Sequence, residues 1–263
     1  MTRGYGGATV LCVTILITND DGISSPGLKA LHTAFSKEHD VWVLAPDGER
    51  SGFSNCITIS EPIRCTEIDD QWFASTGTPA DCVILATRGA IPVTPDLVIS
   101  GINIGPNLGS DIIYSGTCAG ARQAVYREIP GIAVSLNAFT PPFHFEPVTH
   151  FVRDNLDEIL TLWNPDHFIN VNAPNLKQPS GVDITSPAMR RYDEYLLPFE
   201  PPRGGTYYFV DGKPSKAVIE AGTDWHAVEN GAISVSPIML NPVNHVVEEH
   251  YRTSGLVQTS LVQ

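Results

Sequence analysis

One stretch decides the fold: Ile15-Leu16-Ile17-Thr18-Asn19-Asp20-Asp21-Gly22. An apolar run rich in β-branched residues ends abruptly in an amide, two carboxylates and a glycine. This pattern is typical of a buried strand that delivers polar groups at its carboxyl end, where ligands bind in open α/β sheets. Adjacent carboxylates repel each other, so a partly buried pair needs a cation or a shared proton. An Asx turn closed by Gly22 is the alternative and, taken alone, the commoner outcome for Asp-Asp-Gly.

Strand and helix signals alternate after this stretch. The pair Ser25-Pro26 is typical of a helix start, with the serine as N-cap and the proline in the first turn. The apolar run Val41–Ala45 predicts a second buried strand, which Pro46 ends. The order strand, helix, strand predicts a right-handed parallel βαβ unit. The fingerprint G-x-G-x-x-G does not follow the first strand, which argues against a dinucleotide site.

The rest of the chain predicts further elements of the same kind. Thr78, Pro79 and Asp81 form a variant capping box at the start of a helix. A hairpin arm is predicted from Tyr207–Val210 and Ala217–Ile219, with Asp211-Gly212 between them. Other predicted strands are 57–68 at a sheet margin, 96–100, 132–136, 168–172 and 233–235, and a short helix is predicted after Pro242.

Length, composition and charge narrow the classes of protein. The chain has 263 residues, of which 42% are hydrophobic and 17% charged, so a packed core is expected. A formal net charge of −13 argues against general nucleic-acid binding, which needs a basic face. The 5 cysteines show no CxxC spacing, so we expect a reducing compartment and a cytoplasmic location. No apolar run approaches the length of a membrane span, and we expect no membrane partner.

Three polar loops follow predicted strands at one edge of the sheet, and the first of them carries the Asp20-Asp21 pair. Ser51 and Asn55 lie in the loop after the second strand, and Asn103 and Asn107 lie in a glycine-rich loop from 101 to 109. The segment Ser115-Gly116-Thr117 opens a helix, and a helix N-terminus favours phosphate. Viewed singly, a turn role for Ser51 and an ordinary N-cap role for Ser115 are the alternatives.

The chemistry of these side chains indicates a hard cation. Two carboxylates with neutral oxygens suit Mg²⁺ or Mn²⁺ better than Zn²⁺, which prefers histidine or cysteine. A metal beside an anion site at a helix start is the equipment for hydrolysis of a phosphate ester. The sequence therefore favours a metal-assisted phosphatase over a set of unrelated turns and caps.

Taken together, the motifs resemble the SurE (stationary-phase survival protein) family of phosphatases. The resemblance runs from about Ile15 to Ile238 and is most specific up to Ala121. It is carried by Thr18–Gly22 with Pro26-Gly27, Ala45–Asp47 with Arg50–Gly52 and Ser54-Asn55, Gly77–Pro79 with Asp81, Ser100–Asn103 with Gly105–Gly109, Tyr114–Thr117, Thr223-Asp224 and Ser234–Pro237.

This resemblance implies a set of site residues. The implied metal ligands are Asp20, Asp21, Ser51 and Asn103, and the first three are the implied catalytic residues. One divalent metal per subunit is implied, Mg²⁺ or Mn²⁺, which Ca²⁺ could replace in crystals. The implied phosphate and substrate pocket consists of Asn19, Asn55, Gly105, Asn107, Ser115, Gly116 and Thr117.

The resemblance also implies a fold and an activity. The expected fold class is α/β, a Rossmann-like three-layer αβα core with a mainly parallel sheet, plus a smaller C-terminal part with a β-hairpin arm. The expected division is a flexible extension at 1–13, a catalytic core at 14–185 and a hairpin and oligomerisation segment at 186–263. The expected activity is a 5'/3'-nucleotidase with broad, acid-phosphatase-like specificity. It would hydrolyse nucleoside 5'-monophosphates and other small phosphate esters by metal-activated water, as a homodimer or homotetramer.

Two alternatives belong to other classes of protein. A haloacid-dehalogenase-like phosphatase would form an aspartyl-phosphate, but it requires Asp-x-Asp after the first strand, where this chain has Asp20-Asp21. A non-catalytic nucleotide-binding module would use the same phosphate site without hydrolysis. A phosphatase assay with and without a chelator separates the enzyme from the binding module.

Overall fold

The computed structural model describes residues 12–215, 219–241 and 245–254. Its strands are β1 Thr14–Thr18, β2 Asp40–Pro46, β3 Cys65–Asp69, β4 Trp72–Ser75, β5 Leu97–Ile104, β6 Gly131–Asn137, β7 His167–Pro174, β8 Val182–Ile184, β9 Tyr192–Phe199, β10 Tyr207–Pro214 and β11 Ile233–Met239. Its helices are α1 Pro26–Phe35, α2 Pro79–Thr87, α3 Gly116–Val125, α4 Glu146–Asp154, α5 Leu156–Leu162, α6 Asp224–Glu229 and α7 His245–Arg252, and a 3-10 turn spans Gly109–Ile113.

A large mixed sheet forms the centre of the fold. Its strand order is β3-β4-β2-β1-β5-β6-β7-β11-β8, and the run from β4 to β7 is parallel throughout. The strand β3 is antiparallel to β4 at one edge, and β11 is antiparallel to β7. The predicted α/β class with a mainly parallel sheet is therefore confirmed. A separate two-stranded sheet pairs β9 with β10.

Helices cover both faces of the sheet because side chains alternate along each buried strand. Ile15 and Ile17 of β1 pack with α1 and α4 on one face, in a core that includes Leu28 of α1. Leu16, between them, packs with α2 on the other face. The β1 strand is buried on both sides, and the chain has the predicted three layers.

The predicted helix starts are confirmed in atomic detail. The Ser25 hydroxyl accepts a hydrogen bond from the Gly27 N–H at 3.3 Å at the start of α1. Thr78 and Asp81 form a reciprocal capping box at the start of α2. The Ser115 hydroxyl accepts from the Cys118 N–H at 3.0 Å and caps α3. Each cap fixes the direction in which a helix leaves the carboxyl edge of the sheet.

Two predicted boundaries were wrong. The strand predicted to end at Ser100 continues as β5 to Ile104, across a register shift between Ser100 and Asn103, so Asn103 lies on the strand and not in a loop. Ile102 explains this extension, because its side chain is fully buried in the core between β5 and α1. Of the segment predicted as strands from 57 to 68, the part that pairs at the sheet edge begins only at Cys65.

The hairpin arm exists, but its predicted pairing was wrong. The strand β10 pairs with β9, from Tyr207 opposite Phe199 to Pro214 opposite Tyr192, and Asp211-Gly212 lies inside β10. The turn falls at 200–206, where the Gly204 N–H donates to the Pro201 carbonyl at 3.0 Å and both Gly204 and Gly205 have positive φ. The prolines and glycines of 200–206 form a stronger turn signal than Asp211-Gly212 does. Of the other predicted arm strand, Ala217 and Val218 lie outside the described residues.

The remaining predictions concern the chain ends and the division into parts. Of the predicted extension at 1–13, residues 1–11 lie outside the described residues. The helix predicted after Pro242 is α7, and the division at Ser186 stays a prediction. The segment beyond Ser186 contributes β11 to the large sheet. Among the described residues, we find no helix with the length and hydropathy needed to cross a membrane.

Candidate active site

The predicted polar groups meet in a cleft at the carboxyl edge of the sheet. The strands β1 and β5 lie side by side, so the residues after Thr18 come next to Asn103 at the end of β5. Asp20, Ser51, Asn103, Asn107 and Ser115 all line a cleft of about 630 Å³. This volume suits a small organic ligand, since such pockets range over roughly 300–1,000 Å³.

Asp20 lies at the floor of the cleft, against the start of α3. Its carboxylate accepts a hydrogen bond from the Thr117 hydroxyl, and the backbone at Gly116 and Thr117 faces it. A Cβ at Gly116 would lie 2.8 Å from the Asp20 Cβ, so only glycine allows this approach. Burial raises the pKa of Asp20, and these hydrogen bonds act in the opposite direction. The helix N-terminus predicted to hold a phosphate therefore faces the carboxylate of Asp20 first.

Asp21 is the second carboxylate of the site. One of its oxygens accepts the Ile104 N–H at 3.1 Å, which joins the end of β1 to the end of β5. Burial raises the pKa of Asp21 to about 6, and the negative charges of Asp20 and Glu49 add to the rise. A cation between the two carboxylates would offset both the burial and the repulsion.

Ser51 and Asn103 bring neutral oxygens to the same place. The Arg50 N–H donates to the Asp20 carbonyl at 2.7 Å and holds the Ser51 loop beside the first strand. The Ser54 hydroxyl donates to the Ile113 carbonyl at 2.5 Å and holds the other end of that loop. The Asn103 amide nitrogen donates to the Gly105 carbonyl at 2.8 Å, which leaves the Asn103 side-chain oxygen for a ligand.

This donor set fits a hard divalent cation. It combines two carboxylates whose burial disfavours their charged form with one hydroxyl and one amide oxygen. Within the described parts of the chain, three or more His, Cys, Asp or Glu side chains nowhere cluster in a way that could hold a metal. A cation at this site would therefore depend on the Asp20-Asp21 pair and on neutral oxygens.

The other predicted substrate residues fall into two groups. Asn107 and Ser115 line the cleft, and Gly105 lies under the ring of Phe139 at its rim. Asn19 is fully buried and exchanges two hydrogen bonds of 3.1 Å with the Gly22 backbone, so it builds the turn after β1. The exposed Asn55 accepts a hydrogen bond from Arg122 at 2.5 Å. The Asx turn closed by Gly22, which was the alternative for this stretch, is therefore present, with Asn19 as its side-chain acceptor.

Sequence reasoning missed a clamp on the Asn107 backbone. Asn172 of β7 accepts the Asn107 N–H at 2.8 Å and donates to its carbonyl at 3.1 Å. Asn170 donates to the same carbonyl at 2.9 Å, and Ser135 of β6 accepts from the Asn107 side chain at 2.8 Å. Asn170, Asn172 and Ser135 are fully buried. The available signal was two asparagines at alternate positions of an otherwise apolar strand, where buried amides require partners.

A second set of missed residues comes from the C-terminal part. Arg190 and Glu194 line the same cleft as Asp20. The fully buried Asp224, at the start of α6, accepts the Gly109 N–H at 2.7 Å and the Ala188 N–H at 2.9 Å. It therefore ties the loop after β5 to the chain that leads into the hairpin. Of these residues, only Asp224 lies in one of the motifs that carry the family resemblance.

Comparisons with known proteins agree with one another. The family model described as Survival protein SurE matches residues 15–194. A protein named 5'-nucleotidase SurE from Geobacter sulfurreducens is 42% identical over 89% of this chain and 90% of its own length. One of the same name from Halorhodospira halophila is 38% identical over 90% of this chain and 96% of its own length.

A solved structure gives the same result at the level of the fold. The crystal structure of the SurE protein from Aquifex aeolicus superposes with a TM-score of 0.80 at 37% identity, and the match covers 93% of this chain and 99% of that one. The family model covers more than half of the chain, and the relatives match over nearly their full lengths. The chain therefore belongs to the SurE family.

Proposed function

We propose that this chain is a divalent-metal-dependent 5'-nucleotidase. Curated relatives at about 40% identity over most of both chains are named 5'-nucleotidases, and the chain is accordingly a phosphoric monoester hydrolase. One observation carries the metal dependence: the buried Asp20 lines a cleft with the neutral oxygens of Ser51 and Asn103, and the partly buried Asp21 follows it at the same sheet edge. The proposed substrates are nucleoside 5'-monophosphates, with 3'-monophosphates and other small phosphate esters as further substrates.

The proposed cation ligands are Asp20, Asp21, Ser51 and Asn103. A bound Mg²⁺ or Mn²⁺ would neutralise charge on the phosphate oxygens and lower the pKa of a coordinated water. The residues of this chain do the positioning. Thr117 holds the Asp20 carboxylate through a hydrogen bond, and the Ile104 N–H holds Asp21. Both carboxylates are thus oriented before the substrate arrives, which is where much of the catalytic gain in phosphoryl transfer originates.

Ser115 and Asn107 are the proposed contacts of the phosphate. The Ser115 oxygen accepts from the Cys118 N–H, so its own O–H remains free to donate to a phosphate oxygen. The Asn107 amide nitrogen donates one hydrogen to Ser135 and retains a second for the substrate. These neutral donors stabilise the charge of the transferring group without opposing the cation.

The proposed reaction is direct attack of water on phosphorus, without a phosphoenzyme. Asp20 and Asp21 are each engaged by their neighbours and needed by the cation, so neither is free to act as a nucleophile. Single-turnover hydrolysis of a chiral phosphorothioate ester should then invert the configuration at phosphorus. Retention, or phosphate trapped on Asp20, Asp21 or Ser51 after rapid quench, would show a covalent route and refute direct attack. Of these outcomes, only an aspartyl-phosphate would favour a haloacid-dehalogenase-like phosphatase.

The central test measures nucleotide hydrolysis with and without a chelator. Chelation should abolish release of phosphate from AMP, and added Mg²⁺ or Mn²⁺ should restore it. The Asp20→Asn variant should stay inactive at metal concentrations that saturate the wild type, because a charged ligand becomes neutral. Full activity in excess chelator would refute the metal dependence. Tight binding of AMP without any hydrolysis would favour the non-catalytic binding module.

We also propose that the chain works as a homodimer or homotetramer built through the hairpin arm. Every residue of β9 is exposed, and so are large apolar side chains of both strands, with Leu196 57% and Phe209 65% accessible. An apolar arm of this kind favours burial against a second copy. Light scattering should give a multiple of 28.5 kDa, and Phe209→Asp should shift the protein towards the monomer. A wild-type monomer at micromolar concentration would contradict this proposal.

For the location of the protein, we propose a reducing, cytoplasmic compartment.

A further inference from the structure

The base of the hairpin forms one wall of the catalytic cleft. In the β9–β10 register, Tyr192 lies opposite Pro214 and Glu194 lies opposite Gly212. Side chains alternate between the faces of a strand, so these four residues share one face of the hairpin. All four line the cleft together with Asp20 and Ser51. The intervening Asp193 belongs to the opposite face.

This wall is fixed to the loop that carries the phosphate contacts. The Arg190 guanidinium donates to the Asp111 carboxylate at 2.5 Å, and the Tyr192 hydroxyl donates to the same carboxylate at 2.8 Å. Arg190 also stacks on Trp225, with 4.7 Å between the guanidinium carbon and the ring centroid. Asp224 adds its hydrogen bonds to Gly109 and Ala188. The wall is therefore pre-organised, which limits the entropy that substrate binding costs.

The groups on this wall and its surroundings differ from those at the cleft floor. Glu194 is exposed, and among the described residues its carboxylate has neither a hydrogen-bond nor an ion-pair partner. Two exposed aromatic rings also line the cleft: Tyr114, 65% accessible, and Phe139, 75% accessible. A carboxylate accepts hydrogen bonds from hydroxyl and amino groups, and exposed rings stack on flat heterocycles. A second phosphate group, in contrast, would meet repulsion at Glu194.

We propose that Glu194 and Phe139 determine substrate specificity by recognising the nucleoside part of a nucleoside monophosphate. Glu194 accepts hydrogen bonds from the sugar hydroxyls or from the base, and Phe139 stacks on the base. The phosphate lies at the cleft floor, near Asp20 and Ser115. This inference rests on the proposed phosphatase function and adds to it the surface that distinguishes a nucleotide from a simple phosphate ester.

The test compares two substrates that share the phosphate ester and an aromatic ring but differ in their hydrogen-bonding groups. AMP carries a sugar and a base, whereas p-nitrophenyl phosphate carries neither a sugar nor a hydrogen-bonding base. For Glu194→Gln we expect kcat/KM for AMP to fall about tenfold, mainly through KM, because a charged acceptor is lost. The same variant should hydrolyse p-nitrophenyl phosphate at the wild-type rate. Asp193→Asn, one residue away on the other face of the hairpin, is the matched control and should leave kcat/KM unchanged for both substrates.

A second variant tests the aromatic contact independently. Phe139→Ala should raise KM for AMP by about tenfold, as expected for the loss of a base–aromatic stack, and Phe139→Tyr should restore it. Equal losses for both substrates in Glu194→Gln, or no loss for AMP, would overturn the inference. Failure of the wild type to hydrolyse either ester would overturn the proposed function, and this inference with it. Activity on p-nitrophenyl phosphate with an unchanged AMP profile in both variants would overturn the inference alone.

Discussion

Truncation of Asn172 should separate the stability of the fold from the geometry of the site. The Asn107 carbonyl receives hydrogen bonds from both Asn170 and Asn172, but among the described residues its N–H has only Asn172 as acceptor. In Asn172→Ala the N–H is left unpaired in a buried site, which costs about 1–3 kcal/mol of unfolding free energy. A domain of ordinary stability, about 5–15 kcal/mol, remains folded after such a loss.

The effect on catalysis should exceed the effect on stability. Once the Asn107 peptide is free to move, its side chain and the loop that carries it shift, and a misplacement of about 1 Å costs up to about 100-fold in rate. We expect kcat/KM for AMP to fall at least about tenfold in Asn172→Ala. The fall should be smaller in Asn170→Ala, because the Asn107 carbonyl keeps its second donor.

Ser236→Ala provides a matched control one strand further from the cleft. Ser236 is fully buried, and its hydroxyl bonds Thr185 at 2.7 Å, but Thr185 retains Ser234 as a second partner. Urea unfolding gives the stability of each variant, and initial rates on AMP give its activity. If Asn172→Ala loses stability but keeps the kcat/KM of the Ser236→Ala variant, the clamp does not control the site and the reasoning fails.

Three further predictions follow from other contacts. Asp21→Asn should raise the metal concentration needed for half-maximal activity more than Ser51→Ala does, because the first variant removes a charged ligand and the second removes only a neutral oxygen. Equal shifts of the two variants in a metal titration would contradict this prediction. Asp224→Asn should lower the free energy of unfolding by about 1–3 kcal/mol, measured in urea, because an amide N–H₂ would face a backbone N–H; an unchanged midpoint would contradict it. Burial and the hydrogen bond to Asp111 raise the pKa of Tyr192 from 10.0 to about 12. The stability from this raised pKa is fully present below pH 10 and is lost as the pH rises through about 12. The difference in thermal stability between the wild type and Tyr192→Phe should therefore shrink over that interval. A constant difference would argue against a raised pKa of Tyr192.

The sequence was most informative where local physics acts alone. Apolar runs such as Ile15–Ile17 form buried strands whatever surrounds them, and Ser25, Thr78 and Ser115 cap helices through bonds to residues two or three positions away. The polar loops also followed, because parallel strands bring their carboxyl ends to one edge. Those rules sufficed to bring Asp20, Ser51 and Asn103 together.

Features that depend on distant partners could not be predicted from the sequence. The extension of β5 through Gly101 depends on the burial of Ile102 against α1, which the local sequence does not reveal. The partner of β10 was misassigned because Tyr192–Phe199 mixes acidic and apolar residues without a clear alternation. The bonds from Asn172 to Asn107 and from Asp224 to Gly109 span 65 and 115 positions, far beyond the range of any local pattern.

The reversed direction of β11 places a late part of the chain at the edge of the sheet where the candidate site lies. Because β11 runs antiparallel to β7, its first residues lie at the carboxyl edge of the parallel strands, and α6 with Asp224 lies there too. Proteins emerge from the ribosome amino end first, and their leading portions fold first. Once Pro174 has been translated, every parallel strand from β4 to β7 exists, yet Glu194 and Asp224 have not been made. The nascent chain therefore holds its carboxylate pair well before it holds the wall that would seat a nucleoside.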